Sequence, residues 1–184
     1  MAGGGNIARE YQKAASKITR VSNEDKDWIG IHATRINAHL LRVIFQKEAH
    51  PVVVDKRFKI KSFGKYSVLI VSGWRPGCST DYDAIQMGVD LGIKEVIILG
   101  KPAYVYTNNP DKDKKAKPIK ALGWKEYLQM IPQRWIPGLK VPVDPLAARL
   151  AMKEGVRVIV AEGRNLSNLK KILENKKFEG TVIG

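Results

Sequence analysis

The chain has 184 residues, 44% of them hydrophobic and 27% charged, which fits a single globular domain with a buried core. No apolar run approaches the ~18 residues that span a bilayer, and the first residues do not predict a signal peptide, so no membrane partner is expected. The single cysteine, Cys78, excludes an internal disulfide or a cysteine-built zinc site and makes a reducing cytoplasm the expected location.

The net charge of +14 predicts attraction to polyanions or to highly charged small anions such as nucleotides. The lysines do not form one block but are spread over residues 56–65, 101–125 and 170–177. A nucleic-acid interface needs basic residues interleaved with stacking aromatics. Only Trp124, Tyr127, Arg134 and Trp135 suggest that pattern, so we attribute the charge to general basicity and do not expect a nucleic-acid partner.

A glycine-rich stretch, Gly3-Gly4-Gly5-Asn6, directly precedes a helical pattern over residues 7–17. Such a turn can bring backbone N–H groups to a phosphate. A strand normally feeds a turn of this kind, yet only Met1 and Ala2 precede it. The stretch therefore predicts either a flexible start or a chain that lacks an N-terminal part of its fold.

The longest helix is predicted over residues 29–47, where apolar side chains recur at helical spacing. Asp27 stands at its predicted start, where a carboxylate complements the helix dipole. His32 and His39 are seven residues apart with no carboxylate set nearby, so no metal site is predicted.

The central stretch combines a short apolar strand over residues 68–71, a glycine turn over 72–77 and a capped helix start at Ser79-Thr80-Asp81. A strand-turn-helix junction collects unpaired N–H groups at the positive end of a helix, so it can bind an anion, and Arg75 adds charge there. The alternative is an ordinary turn with Ser79 or Thr80 as the cap.

The second half alternates strands and helices. Its predicted strands are at residues 95–100, 156–161 and 180–183, and its predicted helices are at 123–131, 144–155 and 166–175. One more strand is predicted earlier in the chain, at residues 51–55. This alternation predicts a mainly parallel sheet covered on both faces. The long loop after residue 100 contains the turn signal Asn108-Asn109-Pro110-Asp111 and lies where open sheets bind ligands, although a solvated surface loop is the alternative.

Five stretches in order along the chain carry a resemblance to a known family: Gly3-Gly4-Gly5-Asn6 with Arg9, residues 27–34 (DWIGIHAT), 73–84 (GWRPGCSTDYDA), 105–110 (VYTNNP) and 144–148 (DPLAA). Together they resemble the amino acid kinase family, and within it the archaeal type of UMP kinase. The resemblance implies a three-layer α/β sandwich with a mainly parallel sheet between helices. It implies one domain over residues 1–184, with an acceptor-nucleotide part at roughly 1–92 and an ATP-binding part at roughly 93–184.

The resemblance also implies transfer of the ATP γ-phosphoryl group to UMP, with Mg²⁺, in a homo-oligomer. The matched acceptor-binding residues are Gly4, Gly5, Arg9, Asp27, Gly30 and Thr80. The first three of these residues would hold the acceptor phosphate, and Asp27 would bind the acceptor's ribose. Asp81 matches the aspartate that orders the catalytic lysines and the transferring group. The matched ATP-binding residues are Lys101, Tyr106, Asn109 and Pro110.

Three departures from the family pattern keep a second hypothesis open. The family begins with a strand and a lysine-bearing glycine turn that hold the ATP phosphates, and this sequence begins after that point, so an N-terminally incomplete fold is expected. Ala103-Tyr104 replaces an aspartate–glycine pair, and Asn109 replaces a ribose-binding aspartate. Trp74 and Cys78 replace small or polar residues of the acceptor turn. The alternative is a catalytically impaired nucleotide- or anion-binding homologue; a third hypothesis, a nucleic-acid-binding protein, needs a continuous cationic face.

Overall fold

The computed structural model describes residues 1–136 and 138–184. These residues contain the helices α1 (Gly5–Ile18), α2 (Asn23–Ile44), α3 (Thr80–Asp90), α4 (Trp124–Met130), α5 (Pro145–Glu154) and α6 (Leu166–Leu173). Their strands are β1 (Glu95–Gly100), β2 (Val105–Tyr106), β3 (Pro118–Ile119), β4 (Ala121–Leu122), β5 (Arg157–Glu162) and β6 (Thr181–Ile183). None of the helices in these two ranges combines the length and the apolar character that a membrane span requires.

The chain divides into two compact units. Unit 1 contains Met1–Met87 and Trp135–Leu139, and unit 2 contains Gly88–Arg134 and Lys140–Gly184. Helices α1 and α2 belong to unit 1, and all the named strands belong to unit 2.

Helix α2 begins earlier than the sequence predicts. Ser22 caps it, because its Oγ accepts the N–H of Asp25 at 3.0 Å. Asp27 therefore lies in the second turn of the helix, and the interpretation of Asp27 as a residue at the helix start is wrong. One stripe of α2 is buried: Ile31, Ala33, Thr34 and Ala38.

The predicted strands at residues 51–55 and 68–71 do not form a continuous ladder. Their surroundings contain isolated parallel bridges, Ala49 with Val68 and Val54 with Val71. Pro51 has no N–H to donate, and Val52 donates its N–H to His50 Nδ1 at 3.2 Å, within its own segment. The prediction of regular strands here is wrong, although the bridges that do form are parallel.

Unit 2 contains a four-stranded sheet in the order β1-β5-β6-β4. Strands β1 and β5 pair in parallel along six residues, β4 and β6 also pair in parallel, and β5 and β6 are antiparallel. Strands β2 and β3 form a separate antiparallel pair. The predicted strands at 95–100, 156–161 and 180–183 are present with small shifts, and the mainly parallel α/β class is confirmed.

Two of the aromatic residues considered for nucleic-acid stacking lie in the core of unit 2. Trp124 is 7% exposed and its Nε1–H donates to the Val156 carbonyl at 3.1 Å. Tyr127 is fully buried, and its hydroxyl donates to the carbonyl of Val143 and accepts the N–H of the same residue. Neither ring presents a face for a base, so this part of the nucleic-acid pattern is structural.

Candidate functional site

The first glycine turn allows α1 to approach α2 closely. A Cβ on Gly4 would lie 2.7 Å from the Ala8 Cβ and 3.3 Å from the Gly30 carbonyl oxygen, closer than a side chain tolerates without a shift. Gly5 has a φ of +58°, in the left-handed region that favours glycine. Gly4 and Gly5 are therefore required by close packing and by backbone conformation.

The N-terminus of α1 differs from those of its neighbours because no side chain caps it and its first turn has no acidic residue. By helix geometry its first N–H groups have no intrahelical acceptor, and they lie at the positive end of the dipole. Arg9, in the second turn of α1, is exposed and donates to the Asn6 side-chain oxygen. This end of α1 has the hydrogen-bond donors and the charge that a phosphate requires.

The second glycine turn, residues 73–78, is hydrogen-bonded at two points to helix α2. The Gly73 N–H donates to Thr34 Oγ1 at 2.8 Å, and the Gly77 N–H donates to Asp27 Oδ2 at 2.9 Å. A Cβ on Gly73 would lie 3.2 Å from the same Thr34 oxygen. Helix α2 thus fixes both ends of the turn.

Helix α3 begins at the end of this turn with the predicted cap. Ser79 Oγ accepts the N–H groups of Asp81 and Tyr82, each at 3.1 Å. Asp81 is half-buried in the first turn, where its carboxylate complements the helix dipole. Thr80 Oγ1 lies 3.9 Å from the position of a Cβ on Gly3, so the two glycine turns are neighbours.

The surroundings of the Asp27 carboxyl group disfavour its charged form. Burial raises the pKa of this carboxyl above its ordinary value, the hydrogen bond from Gly77 partly offsets that rise, and the nearby Glu24 carboxylate adds to it. Asp27 is therefore a partly desolvated carboxylate that gains from a further hydrogen-bond donor.

Two residues of α2 that the sequence analysis did not nominate belong to the same site. Thr34 receives the Gly73 N–H, and Asn37 Nδ2 donates to the Gly3 carbonyl at 2.7 Å. With Asp27 and Gly30 they recur at intervals of three and four residues, which places them on one helix face. The recurrence of small and polar residues at this helical spacing was the signal that could have found them.

In unit 2 the ATP-binding candidate Lys101 follows β1, and the other three lie on and after β2. The ring of Tyr106 contacts that of Tyr104 edge-on, with centroids 6.1 Å apart. Asn109 Oδ1 accepts the N–H of Asp111 at 2.9 Å, so this side chain stabilises the turn that contains it. Lys101 and Pro110 are exposed.

The structure therefore brings the acceptor candidates together in unit 1, including Asp81, and puts the four ATP-binding candidates in unit 2. Their individual roles stay predictions. Within residues 1–136 and 138–184, no group of three or more His, Cys, Asp or Glu side chains could hold a metal ion by itself.

The chain is similar to proteins of one known family. The model of the amino acid kinase family matches residues 1–162. A uridylate kinase of Methanothrix thermoacetophila is 34% identical over 98% of this chain and 81% of its own length. A uridylate kinase of Methanocorpusculum labreanum is 30% identical over 99% of this chain and 78% of its own length.

The crystal structure of uridylate kinase from Archaeoglobus fulgidus superposes with a TM-score of 0.84 at 30% identity, covering 99% of this chain and 82% of the other. The resemblance inferred from the five sequence stretches is thus confirmed. The chain belongs to the amino acid kinase family, is a phosphotransferase of the kinase class, and is related to the archaeal uridylate kinases along nearly its whole length.

Proposed function

We propose that the chain transfers the γ-phosphoryl group of ATP to UMP, giving ADP and UDP. The observation that carries this proposal is the uncapped, glycine-rich start of α1 beside the turn at residues 73–78, in a chain related to uridylate kinases. Phosphoryl transfer asks mainly for positioning and for neutralisation of charge, and the uncapped start of α1 supplies backbone donors for that purpose.

On the acceptor side, the N–H groups at the start of α1 and the Arg9 guanidinium bind the UMP phosphate. Asp27 accepts a hydrogen bond from the acceptor's ribose, which satisfies the carboxylate that burial disfavours. Thr80, at the neighbouring helix start, adds a hydroxyl donor. Gly30 leaves space beside Asp27 where α1 and α2 approach.

On the donor side, Tyr106 and the Asn109-Pro110 turn contact the adenine and ribose of ATP, and Lys101 adds positive charge. Asp81 orients the cationic groups around the transferring phosphoryl group. Mg²⁺ commonly takes one or two protein carboxylates and completes its shell with phosphate oxygens and water. A single carboxylate such as Asp81 fits that mode, and the ion would supply charge neutralisation at the phosphates.

A coupled assay of ADP release with UMP and CMP as acceptors tests the proposal. We expect saturable turnover with UMP, and we expect Asp81→Asn to abolish it while UMP binding changes little. Asp90→Asn, at the other end of the same helix, is the matched control and should behave as wild type. Turnover that persists in Asp81→Asn would remove the role assigned to Asp81.

A second function is favoured by one observation. Asn109 is neutral, and its Oδ1 already accepts the Asp111 N–H, so it offers ATP's ribose less than an aspartate would. The chain would then be a homologue that binds UMP without turning it over. Saturable UMP binding by calorimetry, together with no ADP release with any acceptor, would establish this second function and exclude the first.

We also propose that the chain forms a homo-oligomer through the exposed apolar surface of its first two helices, called here the α1–α2 face. Its large exposed side chains are Ile7, Tyr11, Ile18, Trp28, Ile36, Leu40, Val43 and Ile44. A groove of about 640 Å³ runs between the two helices on this face. Large exposed apolar patches are uncommon on monomers and mark interaction surfaces.

A further inference from the structure

Asp83 is a carboxyl group in the core of unit 1 to which the proposed mechanism gives no task. It is 2% exposed, in the first turn of α3, two residues after Asp81. Burying a carboxyl is costly unless it is hydrogen-bonded, so such a residue has a structural or functional reason for its position.

The two oxygens of Asp83 face the two ends of the acceptor turn. Oδ1 lies 3.5 Å from Cys78 Sγ, near the end of the turn. Oδ2 lies 3.8 Å from the position of a Cβ on Gly73, at the start of the turn. The carboxyl group thus spans the inner side of the loop that runs from Gly73 to Cys78.

The Cys78 thiol is the donor in this contact. Burial and the Asp83 charge raise the pKa of Cys78 to about 12, so the sulfur keeps its proton at neutral pH and can donate it. Its other acceptor within reach is the Arg75 carbonyl, 3.6 Å from Sγ, which belongs to the same turn. Both contacts of the thiol therefore stabilise one conformation of the turn.

Asp27 holds the same turn from the opposite side. Its Oδ2 accepts the N–H of Gly77, the residue directly before Cys78. Gly77 has a φ of +86°, a conformation that favours glycine, and its N–H points to Asp27 only while the turn keeps this shape. A shift of Cys78 would therefore move the N–H that orients the Asp27 carboxylate.

We propose that Asp83 is a positioning residue for the acceptor nucleotide, acting through Cys78 and Gly77 on Asp27. This inference rests on the proposed function, because it assumes that Asp27 binds the acceptor. Asp83 and Cys78 do not touch the nucleotide; they fix the turn so that Asp27 presents its carboxylate in one orientation. The role explains why a residue with a hydrogen-bond donor follows Gly77.

Calorimetric titration with UMP, and separately with ATP, tests the proposal on the full chain. Cys78→Ala removes the donor and should weaken UMP binding about fivefold, as expected for loss of one hydrogen bond. Cys78→Ser keeps a donor and should bind UMP within about twofold of wild type. ATP affinity should be the same in all three proteins, because the change is confined to the acceptor turn. A general loss of structure would instead lower the affinities for both UMP and ATP.

A double-mutant cycle with Asp83→Asn identifies the partner. If Asp83 acts through the thiol, Asp83→Asn should weaken UMP binding less in the Cys78→Ala protein than it does in the wild type. If Asp83→Asn does not fold, the Ala and Ser variants at Cys78 still decide the question. UMP affinities in Cys78→Ala equal to wild type, or equal losses for Ala and Ser, would overturn the positioning role alone. Absence of UMP binding in the wild type would overturn the proposed function and this inference with it.

Discussion

The proposed binding role of Asp27 conflicts with its partial burial. Binding an acceptor hydroxyl requires an ionised carboxylate, whereas burial makes that ionisation costly. Functional sites often carry such residues at the expense of stability. The residue therefore allows the binding role and the structural role to be separated by experiment.

We predict that Asp27→Asn weakens UMP binding about tenfold, the loss expected for a charge-assisted hydrogen bond, without lowering the melting temperature at pH 7. The amide oxygen can still accept the Gly77 N–H, and the variant no longer carries a desolvated charge. Calorimetry with UMP and thermal unfolding of both proteins provide the two measurements. A variant that melts well below wild type while binding UMP normally would show that Asp27 is only structural.

The pH dependence of stability gives an independent check on Asp27. Its pKa is raised in the folded state, so the folded protein binds this proton more tightly than the unfolded chain does. The group's contribution to stability is fully present below its ordinary pKa of 3.8 and is lost as pH rises through the higher folded value. The advantage of Asp27→Asn over wild type should therefore be absent in acid and present at neutral pH.

Some contacts of the candidate site join residues that are far apart in the sequence and could not be predicted from it. The family pattern contains Asp27 and Gly77 in two separate stretches, but their hydrogen bond joins residues 50 positions apart. Local spacing does not specify which turn faces which helix. Asp83 was missed for the same reason, because its burial depends on the turn that closes over it.

At the scale of elements, both ends of α5 were predictable because capping is local. The sequence Asp144-Pro145 predicts the start of α5, and Gly155 predicts its end; the structure confirms both, with Gly155 in the left-handed region. The two predicted strands of unit 1, both within the described part of the chain, are absent. A short apolar run is compatible with a strand, but whether it forms a ladder depends on its backbone hydrogen bonds, and Pro51 at the start of the predicted strand has no N–H to donate.

We predict that Asp144→Ala lowers the free energy of unfolding by about 1–2 kcal/mol, the usual value for loss of a helix cap. Asp144 is 3% exposed, and its Oδ1 accepts the N–H groups of Leu146 at 2.8 Å and Ala147 at 3.2 Å. Urea unfolding measures the change. Asp144→Asn keeps the accepting oxygen and is the control; an equal loss in that variant would mean that the charge, and not the cap, stabilises α5.

At the scale of the whole molecule, the apolar surface is unevenly distributed. Helices α1 and α2 carry eight of the large exposed apolar side chains, whereas α5 and α6 expose Met152, Leu166 and Leu173. The sequence predicted both segments as helices from apolar residues that recur at helical spacing. Only part of this apolar stripe packs against the rest of the chain, and the other part is exposed. The periodicity of a single sequence shows that a stripe exists but not how much of it is buried.

The α1–α2 face gives the last prediction, which concerns self-association. Leu40 is 59% exposed at the middle of the apolar stripe of α2, so Leu40→Glu places a charge in the proposed interface. We expect the wild type to associate at micromolar concentration and Leu40→Glu to raise the dissociation constant at least about tenfold, as for a buried interface position. Light scattering after size-exclusion chromatography measures the mass of each species. Leu173→Glu, on α6 with 67% exposure, introduces the same charge elsewhere and should leave association unchanged; a wild type that stays monomeric throughout would contradict the interface.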